Sequence, residues 1–227
     1  MRDFYRIDDK LGEGAYGEVR RCVYKEHMND KRSSIKDYRA VKIQSKAYME
    51  DRMLVSFKNE VACMKQIDHP SIMKLHHFYE DPKRYLIITE LCRGGDLYEY
   101  VAKKGKLDER EASICVKQIL SAINYMHFEK HIVHRDLKLE NILIDSKDDI
   151  SNLKLIDFGT AKKFNRRDEP GRENETWPIL DPAGTYSYMA PEVLKADKAR
   201  RIGYSEKCDI WSIGVIAYVL MIQKFPF

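Results

Sequence analysis

The sequence predicts an α+β protein of two lobes, β-rich over residues 1–92 and mainly helical over residues 93–227. Three observations predict it: apolar residues alternate with polar ones through much of the first half, they recur at helical spacing in the second, and Arg93-Gly94-Gly95-Asp96 sets two glycines where one period gives way to the other. Residues 4–24 alternate around a glycine cluster, Tyr38 to Ile43 alternate again, and Tyr85 to Thr89 form a short strand-like run. One helix interrupts these strands. Phe57, Val61, Met64 and Ile67 mark its apolar stripe, which stops before the turn signal Asp68-His69-Pro70. Asp108, with Glu111 three residues on, resembles a capping box and opens a long amphipathic helix through about His127. A last helix fills roughly 207–222, and the polar stretches Lys25–Asp37 and Asn165–Pro178 are expected to be surface loops.

With 44% hydrophobic and 33% charged residues in 227, the chain is expected to fold into one or two compact units. Its 40 basic and 36 acidic residues leave a net charge of +4 and are interleaved, so there is no one-signed stripe of the kind nucleic acid requires. The apolar run Ile210–Ile222 is broken by Ser212 and Gly214 and falls short of the about 20 residues of a membrane span, so it reads as a buried helix. No apolar stretch of signal-peptide length follows Met1, which predicts a cytoplasmic protein, nucleus included. Cys22, Cys63, Cys92, Cys115 and Cys208 are odd in number and form no CxxC pair; they predict core packing rather than disulfides or zinc.

Leu11 to Val19 contains the pattern GxGxxGxV, whose glycines Gly12, Gly14 and Gly17 let backbone N–H groups approach a phosphate chain. A dinucleotide fold would need a helix after these glycines, but Glu18 to Tyr24 continues as a strand. On the loop alone, a glycine-rich hairpin without a ligand stays open. Lys42 falls on an inward-facing strand position and Glu60 on the apolar stripe of the helix, so each needs a counter-charge and a Lys42–Glu60 pair supplies both.

The most specific segment is His134-Arg135-Asp136-Leu137-Lys138-Leu139-Glu140-Asn141, followed by Asp157-Phe158-Gly159 and then Ala190-Pro191-Glu192. Together with the glycine loop, in this order and across nearly the whole chain, these resemble the eukaryotic protein kinases. The chemistry is consistent: phosphoryl transfer needs a carboxylate near the attacking hydroxyl, plus a carboxylate and an amide to hold Mg²⁺. The resemblance implies a bilobal protein-kinase-like fold with ATP and Mg²⁺ as cofactors. It makes Asp136 the catalytic base, Lys138 a stabiliser of the transferring phosphoryl, and Asn141 and Asp157 the metal ligands. It puts Leu11, Gly12, Gly14 and Gly17 in the nucleotide loop, Lys42 on the α- and β-phosphates with Glu60 holding it, and Val19, Ala40 and Leu143 around the adenine. Thr89 takes the gatekeeper position, and Glu90 and Cys92 present hinge backbone to the base. Met64, Leu75, His134 and Phe158 fall at the internal spine, anchored by Asp209. Lys138, two residues after the base, implies serine/threonine transfer. Asp96, Glu140 and Thr185 are implied substrate contacts, the two acids facing an arginine upstream of the target hydroxyl; Asp96 also reads as a ribose contact or a plain helix cap.

Tyr186 to Glu192 and Lys207 to Val215 resemble the calcium/calmodulin-related group, and Gly14 to Val19 the calcium-dependent protein kinases of plants and protists. Asp181, three residues before Gly184, is expected to stand in for an activating phosphate with Arg135 as its partner, or else to be an exposed loop acid; Thr176 is a second regulatory candidate. Asp145 and Asp149 do not make a calcium loop, because Ile150 and Ile156 occupy the glycine and glutamate places, so any calcium-sensing module is expected outside this chain. The family domain continues beyond Phe227, which predicts a helical lobe truncated at its C-terminal end. If Ile210, Ile213, Val215, Ile216, Val219 and Leu220 then lose part of their cover, the deficit approaches about 10 kcal/mol, and the chain alone is expected to be unstable or weakly active. The expected function is an ATP-dependent serine/threonine kinase acting on proteins with basic residues near the target. The alternative is a truncated, catalytically weak or dead scaffold.

Overall fold

The computed structural model describes residues 4–14, 17–25, 38–164 and 178–227. Nearly all of both expected surface loops, and Thr176, lie outside the described residues.

Five antiparallel strands, β1 (Tyr5–Gly14), β2 (Gly17–Tyr24), β3 (Tyr38–Ser45), β4 (Leu75–Glu80) and β5 (Arg84–Glu90), form one sheet in the order β1-β2-β3-β5-β4. Alternation sorts their side chains between two faces. Cys22, Val41, Ile43, Leu86 and Ile88 pack around Tyr5 on one face, while Tyr85 and Ile87 meet Phe57 and Val61 of helix α1 (Asp51–Met64) on the other. Lys42 pairs in register with Ile87 and so projects toward α1. β4 carries two histidines in place of a clean alternation, which is why the sequence pattern did not mark it. The sequence also carries α1 a turn too far: the Gln66 N–H bonds to the Cys63 carbonyl, which closes the helix, and Ile67 is buried beyond its end.

The second half holds α2 (Leu97–Lys104), α3 (Glu109–Phe128), the short α4 (Pro191–Leu194) and α5 (Lys207–Ile222). It is not purely helical. Ile132–Val133 (β6) pairs with Lys162–Lys163 (β9), and Ile142–Ser146 (β7) forms a hairpin with Asp149–Leu155 (β8). The Asp108 side chain accepts from the Glu111 N–H and the Glu111 side chain returns to the Asp108 N–H, so the capping box at the start of α3 is complete. Ala112, Cys115, Ile119, Ala122, Ile123 and Met126 of α3 build the main core with α5 and β8.

The expected loss of cover on α5 is confined to one of the six side chains. Ile213, Val215, Ile216, Val219 and Leu220 are buried, and only Ile210, at 50% exposure, faces solvent. α3 lies along α5, and the Leu107 N–H bonds to the Leu220 carbonyl, so existing neighbours already enclose that face. The connection between sheet and helices is tied to the hairpin: Arg93 and Gly94 donate their N–H groups to the carbonyls of Asp145 and Ile144. A Cβ on Gly94 would stand 2.6 Å from Ile144, so only glycine fits this crossing. Among the described residues no helix is long and apolar enough to cross a membrane, and all five cysteines are free.

Candidate active site

A cavity of about 440 Å³ opens between the sheet and the helical half, within the usual range for a small-molecule site. Val19, Ala40 and Leu143 line it, as do Leu11 and Gly12 of β1. Thr89, Glu90 and Cys92 form its edge; Lys42, Glu60, Asn141 and Asp157 form its polar end. Met64, Met73, Ile87, Leu91, Gly95 and Ile156 complete the lining, and the sequence marks none of them as a nucleotide contact.

Three expected nucleotide residues are not in the lining. Gly14 ends β1 opposite Gly17. A Cβ on Gly17 would come within 1.9 Å of the Ile43 carbonyl oxygen, so packing against β3 already demands glycine there, whatever a phosphate requires. Asp96 is the N-cap of α2, accepting from the Glu99 N–H at 2.7 Å, while its neighbour Gly95 lines the cavity.

Lys42 Nζ lies 3.0 and 3.2 Å from the carboxylate oxygens of Glu60, which is buried. The β5 end of the cavity is fixed by the Glu90 carboxylate, which accepts from the Lys74 N–H at 2.7 Å and pairs with the buried Lys154 at 2.8 Å. Thr89 donates to the Glu90 carbonyl at 3.1 Å. Burial pushes the Cys92 thiol up to about 12, so it stays protonated and unreactive.

Below the cavity, Asp209 of α5 is fully buried and organises the loop ahead of Asp136. Its carboxylate accepts from the N–H groups of His134 and Arg135, both at 2.8 Å, and from His127 Nε2 at 2.8 Å. This holds Arg135 in the left-handed region at φ 72°, which a non-glycine residue adopts only when its surroundings fix it. Asp157 is held likewise at φ 65°. His134 meets the buried Phe158 edge-on at 5.3 Å.

Asp136 is the centre of a connected set. It accepts from Thr185 Oγ1 at 2.7 Å, Lys138 Nζ at 3.0 Å and Asn141 Nδ2 at 3.3 Å, while Lys138 also donates to Thr185 Oγ1 at 3.0 Å. Burial pushes the Asp136 carboxyl up, but the hydrogen bonds from Thr185 and Lys138 and the Lys138 charge outweigh it and hold the carboxyl below its ordinary value. It is therefore ionised at neutral pH. Glu140 is exposed beside this set.

A second cluster lies on the far side of Arg135. Asp181 accepts from Arg135 Nη1 at 2.9 Å and Lys162 Nζ at 2.5 Å; Tyr204 donates to the Asp181 carbonyl at 2.8 Å and accepts from Arg135 at 3.2 Å. Burial raises the Asp181 carboxyl, but the two cations overcome this and hold it at about 2. Burial moves the Tyr204 hydroxyl the other way, up to about 12. Gly184, at φ 118°, passes so close that a Cβ would lie 2.3 Å from the Arg135 carbonyl oxygen. The sequence pairs Arg135 with Asp181 but gives no sign of Lys162 or Tyr204, whose contacts depend on chain crossings 19 and 69 residues long.

Among the described residues no three His, Cys, Asp or Glu side chains converge as a metal cage. Asn141 and Asp157 nevertheless share the polar end of the cavity with Lys42, a donor set that suits Mg²⁺, which is held by one or two protein oxygens plus phosphates and water.

The model of the protein kinase domain matches residues 5–227. The chain belongs to the protein kinase domain family. It is similar to calcium-dependent protein kinase 3 of Plasmodium yoelii yoelii, at 39% identity over 228 residues covering 100% of this chain and 38% of the relative. Calcium-dependent protein kinase 5 of Plasmodium falciparum (isolate 3D7) is also 39% identical, with 36% of its length covered. MAP kinase-interacting serine/threonine-protein kinase 1 of Xenopus tropicalis is 36% identical, with 52% covered. The kinase-domain chain thus spans between about a third and a half of the length of these relatives.

Proposed function

We propose that this chain is the catalytic domain of an ATP- and Mg²⁺-dependent serine/threonine protein kinase. The observation that carries the reading is the ionised Asp136, bonded to Lys138, Thr185 and Asn141, next to a cavity whose polar end holds the Lys42–Glu60 pair and Asp157. Lys42, steadied by Glu60, holds the α- and β-phosphates, and Val19, Ala40 and Leu143 enclose the adenine. Asn141 and Asp157 would hold Mg²⁺, which neutralises phosphate charge when bound. Asp136 accepts the hydrogen bond of the substrate hydroxyl, aims its oxygen at the γ-phosphorus, and takes the proton as that oxygen bonds to phosphorus and the bond from phosphorus to the β,γ-bridging oxygen breaks, with ADP as the leaving group. With its carboxyl below the ordinary range it is a weak base, so orientation is its larger contribution. Lys138, held beside Asp136, sets its ammonium charge against the negative charge of the transferring phosphoryl, and Thr185 keeps both side chains in place.

The exposed Glu140 favours substrates with an arginine near the target residue, with Asp96 free to contribute its second carboxylate oxygen. Asp181 serves Arg135 as a built-in anion in place of a phosphate. The names of the Plasmodium relatives support a calcium-sensing module elsewhere in the gene product. The five thiols suit a reducing compartment, cytoplasm or nucleus.

The test is phosphate transfer from labelled ATP with Mg²⁺ to a serine peptide bearing arginine three residues upstream. Transfer is expected from the wild-type chain, a loss of about 10²–10⁴-fold in Asp136→Asn, and no transfer in Asp157→Ala. Folded wild-type protein that binds nucleotide without transfer would support the scaffold alternative. Equal rates on a peptide lacking the arginine would remove the basic preference.

A further inference from the structure

One face of α1 does more than present Glu60. Ser56, Asn59 and Glu60 are spaced i, i+3, i+4 and so lie together on the helix. Ser56 Oγ donates to the Gly159 carbonyl at 2.9 Å, and Asn59 Nδ2 donates to the carbonyls of Phe158 at 3.3 Å and Ala161 at 2.5 Å. Three of the four carbonyls from residue 158 to 161 are thus taken by two side chains of one helix. The approach is close: a Cβ on Gly159 would stand 2.7 Å from Ser56 Oγ. The amide of Asn59 is oriented from its other end, where Oδ1 faces Cys63 Sγ at 4.0 Å.

The segment held this way needs holding. Asp157 sits at φ 65°, a conformation that persists only where neighbours over-determine it, and the Gly159 N–H folds back onto Asp157 Oδ1 at 3.2 Å. A shift of α1 away from the sheet would break the Lys42–Glu60 pair and these three hydrogen bonds together.

We propose that Ser56 and Asn59 are positioning residues that lock residues 157–161 to α1, so that Asp157 and Glu60 face the cavity together and Mg²⁺ strengthens nucleotide binding. The proposal rests on the kinase reading above and deepens it, tying the metal-facing carboxylate to the helix that carries the lysine's partner.

The experiment titrates ADP into the full 227-residue chain in EDTA and again in Mg²⁺, with melting followed for each variant. Asn59→Asp keeps the shape of the side chain but turns an acceptor toward two carbonyls. It is expected to lose about tenfold of the Mg²⁺-dependent gain in affinity while its affinity in EDTA stays within about twofold. Asn59→Leu is expected to do the same, since it also lacks the donor. Ser56→Thr, which retains the hydroxyl, is expected to keep the gain, and Ser56→Ala to lose about fivefold. Folded Asn59 variants with an undiminished gain would overturn the proposal. Should those variants unfold, the serine pair decides, because equal gains in Ser56→Ala and Ser56→Thr would overturn it too. A wild-type chain that binds ADP no better with Mg²⁺ would overturn the kinase reading itself, and the proposal with it.

Discussion

Asp181 is 53% exposed, yet the guanidinium it holds belongs to a side chain that is only 8% exposed, and this asymmetry decides what breaking the pair does. Asp181→Asn leaves a buried cation short of its anion, which costs more than losing a surface pair but less than a fully buried one: about 1–2 kcal/mol at neutral pH. The pH dependence follows from the depressed carboxyl. A group held at about 2 rather than its ordinary 3.8 contributes stability that is fully present above about pH 4 and lost as pH falls through 2. The melting temperatures of wild type and Asp181→Asn should therefore differ at pH 7 and converge near pH 2. A constant gap across that range would show that the charge is not what stabilises the site. Asp136 is also depressed, but it is present in both proteins and cancels from the difference. At this scale the sequence was informative where chemistry packs into short spacings, as in His134 to Asn141. It was silent about Lys162, Tyr204, Ser56 and Asn59, ordinary polar residues whose partners are fixed only by the fold.

Elements were legible where local physics decides them. α3 begins at a reciprocal cap written in four consecutive residues and continues through a stripe of small and aliphatic side chains, so both its start and its buried face could be read. Asp108→Ala removes the acceptor for the Glu111 N–H and the partner that orders the Glu111 side chain. A loss of about 1 kcal/mol is expected, measured as a lower urea midpoint with unchanged slope; an unchanged midpoint would mean the cap is dispensable once α3 is packed. The β7–β8 hairpin was not legible. Its strands are short, Ile142–Ser146 follows directly on residues that read as catalytic, and Lys154 breaks the apolar run of β8 with a charge that the fold buries. Extra strands in a helical half come from tertiary pairing that overrides any single-segment pattern. The end of α1 was misplaced for a related reason: Ile67 keeps the helical spacing and is buried, but from the turn after the helix rather than from its stripe.

The whole molecule depends on how its sheet meets its helical half, and the Glu90–Lys154 pair spans that junction beside the cavity. Glu90 ends β5, whereas Lys154 lies in the hairpin that packs on α3; their charges meet at 2.8 Å with side chains 24% and 11% exposed. Lys154 is the more buried partner, so the two single changes should be unequal. Glu90→Gln keeps an acceptor for the Lys74 N–H but leaves the lysine buried without a counter-charge, a loss of about 3 kcal/mol. Lys154→Met leaves a carboxylate that water can reach and that retains the Lys74 hydrogen bond, so about 1 kcal/mol is expected. The double variant removes both charges and substitutes an apolar side chain of similar length. It should therefore be more stable than Glu90→Gln alone, with a coupling energy of about 1–3 kcal/mol in the cycle. Denaturation of the four proteins measures this directly. Additive losses would mean that the pair is screened and that the junction is held by the Arg93 and Gly94 backbone hydrogen bonds instead. Coupling accompanied by weaker ADP binding in Glu90→Gln would show that the same ion pair sets the width of the cavity.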